Sequence, residues 1–204
     1  MKLTPRLAIV GLVGAIMVPT SATAHAASPT RAIPAHSSFA LSYAGSDTDA
    51  VAAISKQDRM FLITVHQDNL AEIEAGRLAV QNGRCEAVKR IARVFINDHS
   101  RIDNDVQSLA DKFDVGLPNA PDAEAQKLLA ELAALSGREF DIVWLRMRAA
   151  GLREAIKLGK QQLRHGRSPE VKALATAAVP VVMRHLKLLN EAKRRCWPGR
   201  LTRQ

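Results

Sequence analysis

Two stripes of apolar residues, spaced alternately by four and three, constrain this chain more than any other feature. Val88, Ala92, Phe95, His99, Ile102, Val106, Leu109 and Phe113 form the first. Val171, Leu174, Ala178, Val181, His185, Leu188 and Ala192 form the second. A mean step of 3.5 keeps each set on one side of an α-helix, and such seams are buried by packing helices together with a left-handed twist. Two further segments offer weaker seams, Phe61, Val65, Gly76 and Ala79 in one and Phe140, Trp144, Met147, Gly151 and Leu158 in the other. Gly76 and Gly151 are expected to let neighbouring helices approach closely. No segment alternates as a half-buried strand would. The apolar fraction is 47% but Phe, Trp and Tyr supply only 4% of the chain, so an aliphatic, all-α core is expected.

Punctuation places the helix ends. Ser55 with Asp58 opens the first helix and Asn82-Gly83 closes it. The second is expected over residues 84–116, with Pro118 barring continuation, and a short helix over 121–134 follows. Ser136-Gly-Arg-Glu139 reads as a capping box for a third long helix running to about Arg164. Ser168 caps a fourth with Pro169 at its first position, and Pro180 is expected to kink it. Short links make helices one and two, and three and four, antiparallel pairs. The segment between helices two and three is long enough to travel back along the molecule, as in ferritin-like folds. The expected fold is an all-α, ferritin-like four-helix bundle with a short extra helix in the crossover.

The first 26 residues read as a cleavable signal peptide. Lys2 and Arg6 precede the apolar run of residues 7–18, Pro19 ends it, and Ala22-Thr23-Ala24 and Ala24-His25-Ala26 both suit signal peptidase. Residues 27–54 then form a flexible leader, 55–195 the helical domain and 196–204 a basic tail. Export to the periplasm or cell envelope follows, and an oxidising space lets Cys85 and Cys196 pair. With a crossover the fourth helix ends where the second begins, which brings the two cysteines together. Without one they lie at opposite ends, ~40 Å apart by helical rise. Bridge and crossover therefore go together.

Polar residues interrupt the seams. Glu72 and Asp141 lie on the core sides of helices one and three, and His99 and His185 hold central stripe positions. Buried charges are costly unless paired, so these groups must meet one another, water or a metal. Two readings stand: a hydrogen-bonded core network, or a transition-metal site made by Glu72, His99, Asp141 and His185. His66 reads as a flank residue. A di-iron centre would use Glu-x-x-His on two helices, and this chain has no such pair, nor a nucleophile elbow, phosphate loop or zinc-protease helix. The expectation is a non-enzymatic protein without a cofactor, with a metal ion as the alternative. The chain carries a formal charge of +9, thickened at Lys187, Lys193, Arg194, Arg195, Arg200 and Arg203. An anionic envelope surface suits that cluster as a partner. Nucleic acid does not, since no aromatic residues interleave the cations.

Over about residues 56–193 the chain resembles an uncharacterised exported bacterial family, the domain of unknown function four-one-four-two. That family is often labelled a predicted outer membrane protein and assigned a ferritin-like fold. The resemblance rests on NLAEIEAGRLA (69–79), VKRIARVFINDHSRID (88–103), the Gly116-Leu117-Pro118 turn, SGREFDIVWL (136–145) and VPVVMRHL (179–186). It implies a recurrent polar set at Glu72, Asp98, His99, Asp141 and His185. Leu152 stands where the family often has histidine, and Trp144 where it usually has tyrosine. The resemblance implies no biochemical activity.

Overall fold

The computed structural model describes residues 54–198; the expected signal peptide, nearly all of the leader and most of the basic tail lie outside them. Five α-helices form: α1 Lys56–Asn82, α2 Glu86–Lys112, α3 Ala123–Ala133, α4 Gly137–His165 and α5 Pro169–Cys196. No strand forms among the described residues; Gly83 and Gly137 meet in an isolated backbone bridge.

The four long helices pack in a ring, α1 against α2 and α4, and α5 against α4 and α2. The start of α1 meets the end of α4, where Gln162 donates to Asp58. The end of α1 meets the start of α4, where Asp141 accepts from Arg84. The order is therefore up, down, down, up, with α3 carrying the chain back between α2 and α4. Cys85, at the start of α2, is disulfide-bonded to Cys196, at the end of α5, with 5.9 Å between their Cα atoms.

Local chemistry sets the boundaries. Ser55 accepts from the Asp58 N–H, Asp122 from Ala125 and Ser168 from Val171, each satisfying one of the free donors at a helix start. Ser136 departs from the expected capping box, because its side chain makes no capping bond and Gly137 enters the helix at φ +62°. The end of α2 also differs from expectation. It stops at Lys112, before the Gly116 predicted from sequence, because Asp114 takes the left-handed conformation at φ +51°. Val115 N–H then donates to Ala110 and Asp114 N–H to Asp111, a Schellman closure in which aspartate stands where glycine is usual.

Most stripe residues are buried, but along α5 the members between Ala178, His185 and Ala192 are displaced by one position. Val182 and Leu189 face inward, while Val181 and Leu188 are only half-buried. His185 and Ala192 stay buried, so the seam keeps its alternation of three and four and only the row between its common positions changes. Gly76 acts as expected: a Cβ there would lie 2.7 Å from Ile96 Cγ1, so α1 and α2 are in close contact. Gly151 does not, since its nearest neighbour would be Glu72 Oε1 at 3.6 Å. The tight contact along α4 falls at Gly159, against Val179 of α5.

Candidate functional site: a polar layer and pocket at mid-height

Halfway along the long helices the apolar core gives way to a layer of polar side chains. Asn69 and Glu72 enter from α1, His99 from α2, Arg148 from α4 and His185 from α5, all of them buried. Glu72 Oε1 pairs with Arg148 Nη1 at 3.1 Å. His99 Nδ1 lies 2.8 Å from Asn69 Oδ1, so the ring carries its proton there and donates to the amide oxygen. His185 Nε2 lies 2.9 Å from Asp98 Oδ2, which also accepts from Arg184. The His185 ring stacks on Phe95 at 4.1 Å between centroids, and the two imidazoles are 5.2 Å apart.

The electrostatics follow from this packing. Burial holds His99 down at about 4, and it also lowers His185, with the opposing pull of Asp98 too weak to restore it. Both rings are therefore neutral at pH 7. The Asp98 carboxyl is held low despite its burial, because His185 and Arg184 hydrogen-bond to it. Each neutral imidazole donates through one nitrogen and leaves a lone pair on the other. His99 Nε2 and His185 Nδ1 have no protein partner, nor do Asn69 Nδ2, Glu72 Oε2 and Arg148 Nε. Every unpartnered buried side-chain atom found among the described residues belongs to this layer.

Four of these five side chains line one pocket of about 370 Å³. Its walls come from α1, α2, α4 and α5, and α3 closes one side through Ala125, Leu128 and Leu129. Phe61, Ile102, Leu152 and Val182 make it largely apolar. Leu152, where the family resemblance suggests histidine, faces into it. Asp68, Asp122 and Glu124 also line it. Burial, with Glu72 and Asp122 nearby, raises the Asp68 carboxyl to about 6.

The residues singled out from sequence thus separate. His99, His185 and Asp98 come together, and Glu72 sits in the same layer but is engaged by Arg148. Asp141 belongs elsewhere: at the molecule's end its two oxygens accept from the Arg84 and Cys85 N–H groups at 3.1 and 2.9 Å, capping the start of α2. Burial raises its pKa and those two bonds act against the shift. The four-residue metal set is therefore not assembled, and no group of three histidine, cysteine, aspartate or glutamate side chains converges among the described residues. His66 is not a flank residue. It is buried, with Nδ1 2.7 Å from Asp103 and Nε2 2.9 Å from the Pro118 carbonyl, and so pins the crossover to α1.

Sequence reading missed Asn69 and Arg148. Arg148 lies four after Trp144 and four before Leu152, which places it on the seam, but a long cation in such a position reads as solvated.

The fold and this layer define an all-helical protein with a polar centre and a pocket opening onto it. The chain belongs to the family described as "Domain of unknown function (DUF4142)", whose model matches residues 44–191. No curated protein matches it. Among solved structures it is similar to a DUF305 fragment from Deinococcus radiodurans, at 14% identity and a TM-score of 0.62, over 70% of this chain and 99% of that one. It is also similar to CopM in the Cu(I)-bound form, at 17% identity and a TM-score of 0.58, over 70% of this chain and 98% of that one.

Proposed function

We propose that this chain is an exported, non-enzymatic protein of the bacterial periplasm or cell envelope, a ferritin-like four-helix bundle whose central pocket holds a small ligand. The carrying observation is the coincidence of the pocket with the unpartnered polar atoms. Leaving a buried polar group unsatisfied costs about 1–3 kcal/mol, and four such side chains line the same pocket. Its volume lies within the ordinary range of small-molecule sites. Serine, threonine, cysteine and lysine are absent from its lining, so it offers no hydroxyl, thiol or amine nucleophile, which favours holding over turnover. The Cys85–Cys196 bridge supports export, because such bonds persist in oxidising compartments.

Native mass spectrometry of protein purified from the periplasm tests the reading. A bound mass is expected, lost on unfolding and refolding together with part of the melting temperature. A bare chain whose melting is unchanged by that treatment would sink it.

A second reading, a metal-binding ferritin-like protein, draws on the free lone pairs of His99 and His185 and on the likeness to a Cu(I)-bound protein. Imidazole suits copper, zinc, iron and nickel. With Asp141 capping α2 and Glu72 paired to Arg148, these residues offer two ligands and not the four expected. Elemental analysis before any metal-affinity column decides it: stoichiometric metal, absent from a His99→Ala, His185→Ala variant, would establish the site, and metal-free protein would remove it.

The anionic envelope surface remains the proposed partner. Lys187, Lys193, Arg194 and Arg195 are exposed, and Lys193 shares an open groove with Arg138, Arg146, Arg153 and Trp197. Arg200 and Arg203 lie outside the described residues. Binding to vesicles containing anionic lipid should weaken as salt rises; absent or salt-insensitive binding would count against it.

A further inference from the structure

We propose that the central pocket selects an organic ammonium ion with a small apolar body, drawn in by the carboxylates of Asp68 and Glu72. This rests on the reading of the pocket as a ligand site and names the ligand's class. The argument begins with charge. The chain as a whole is basic, at +9, yet the pocket is lined by Asp68, Glu72, Asp122 and Glu124 against the single cation Arg148. That guanidinium is already paired to Glu72. A cation entering the pocket meets an excess of carboxylates, and an anion meets repulsion despite the basic exterior.

Two of the unpartnered atoms on its lining side chains are hydrogen-bond acceptors, each with almost no exposed surface. Glu72 Oε2 carries the carboxylate's free lone pairs, and His99 Nε2 is a bare lone pair because Nδ1 donates to Asn69. Both side chains are more than nine-tenths buried, at 6% and 4% exposure. Glu72 thus brings to the pocket wall a buried carboxylate with one oxygen unpaired, a charge that favours a cationic ligand. The remaining walls are hydrocarbon, and Gly151, with no side chain, keeps the space over Glu72 open.

Isothermal titration of the full mature chain at neutral pH, using three probes of one shape and different charge, tests this. 2-Phenylethylammonium should bind at least about tenfold more tightly than neutral 2-phenylethanol, a ratio that one charge pair of modest strength supplies. Phenylacetate should bind most weakly. Asp68, which makes no hydrogen bond that the fold depends on, gives a variant that keeps its structure: Asp68→Asn should weaken ammonium binding about threefold to tenfold and leave the alcohol unchanged. Gly151→Val should fill the pocket and abolish binding of every probe without lowering the melting temperature, since valine is the better helix former. Equal or tighter binding of the alcohol or of phenylacetate, lost in Gly151→Val, would overturn the ammonium assignment and leave the ligand-holding reading intact. No binding by any probe would overturn the assignment, with the mass measurement above deciding the wider reading separately.

Discussion

The two ends of the helical domain and its middle treat buried polarity in opposite ways. At one end Asp58 is fully buried, yet it accepts from Ser55, Gln162 and the Arg167 and Ser168 N–H groups. Burial pushes its pKa up, but those bonds outweigh it and hold the carboxyl below its usual value. At the other end Asp141 takes the Arg84 and Cys85 N–H groups. The arrangement is reciprocal: the leading helix of each hairpin lends a carboxylate to the turn of the other. In the middle, by contrast, five buried side chains each leave an atom unpaired. Saturated polar groups fix structure, whereas unsaturated ones keep bonding capacity for something else. The ends therefore carry stability, and the middle gives some of it up.

The largest effect expected to test this division is removal of the disulfide. A bridge spanning 111 residues constrains the unfolded chain by about 5 kcal/mol in the loop-entropy account. Cys85→Ser with Cys196→Ser should lower the denaturant midpoint accordingly while leaving pocket binding intact. Next, Asp58→Ala should cost about 3 kcal/mol, because two backbone donors and Gln162 lose their acceptor at once; a loss under 1 kcal/mol in urea unfolding would break the contrast.

The middle should yield to acid. His99 titrates at about 4 in the fold against about 6.5 unfolded, so the unfolded chain takes up the proton first as pH falls. Stability should drop by the order of 2–3 kcal/mol between pH 6.5 and 4, and His99→Phe should flatten that slope.

Asp68 works the other way and should give the smallest effect. Its folded pKa of about 6 exceeds the ordinary 3.8, so acid favours the fold across that window and its charge is a burden above it. Asp68→Asn should stabilise by roughly 1–2 kcal/mol at pH 8, after allowing for its partial exposure. The gain should vanish below pH 4.

The helices were legible because their buried faces obey one spacing, and because Ser55, Ser168 and Pro169 announce helix starts in a way that depends on few neighbours. The crossover was legible from length alone. The end of α2 was not, because aspartate at a left-handed position is read only from geometry. The polar layer was legible in part: His99 and His185 stand out as interruptions of an apolar seam. Asp141 also lies on a seam, but in the first turns of α4, where helical side chains lean toward the N-terminus and this one reaches the α1–α2 turn instead of the core. The pocket was not legible. It depends on Gly151, Ala155, Ala175 and Ala178, small residues of α4 and α5 whose combined absence of bulk appears only when the helices are assembled.

The Cys85–Cys196 link has a topological result. It closes a covalent ring that takes in α2, α3, α4 and α5 and leaves α1 hanging outside it. Strong denaturant can therefore peel α1 away as a free arm while the other four helices stay tethered. α1 is also the helix that brings Asp68, Asn69 and Glu72 to the pocket. The helix that supplies more of the pocket's polar side chains than any other is thus the one that this covalent clasp does not hold.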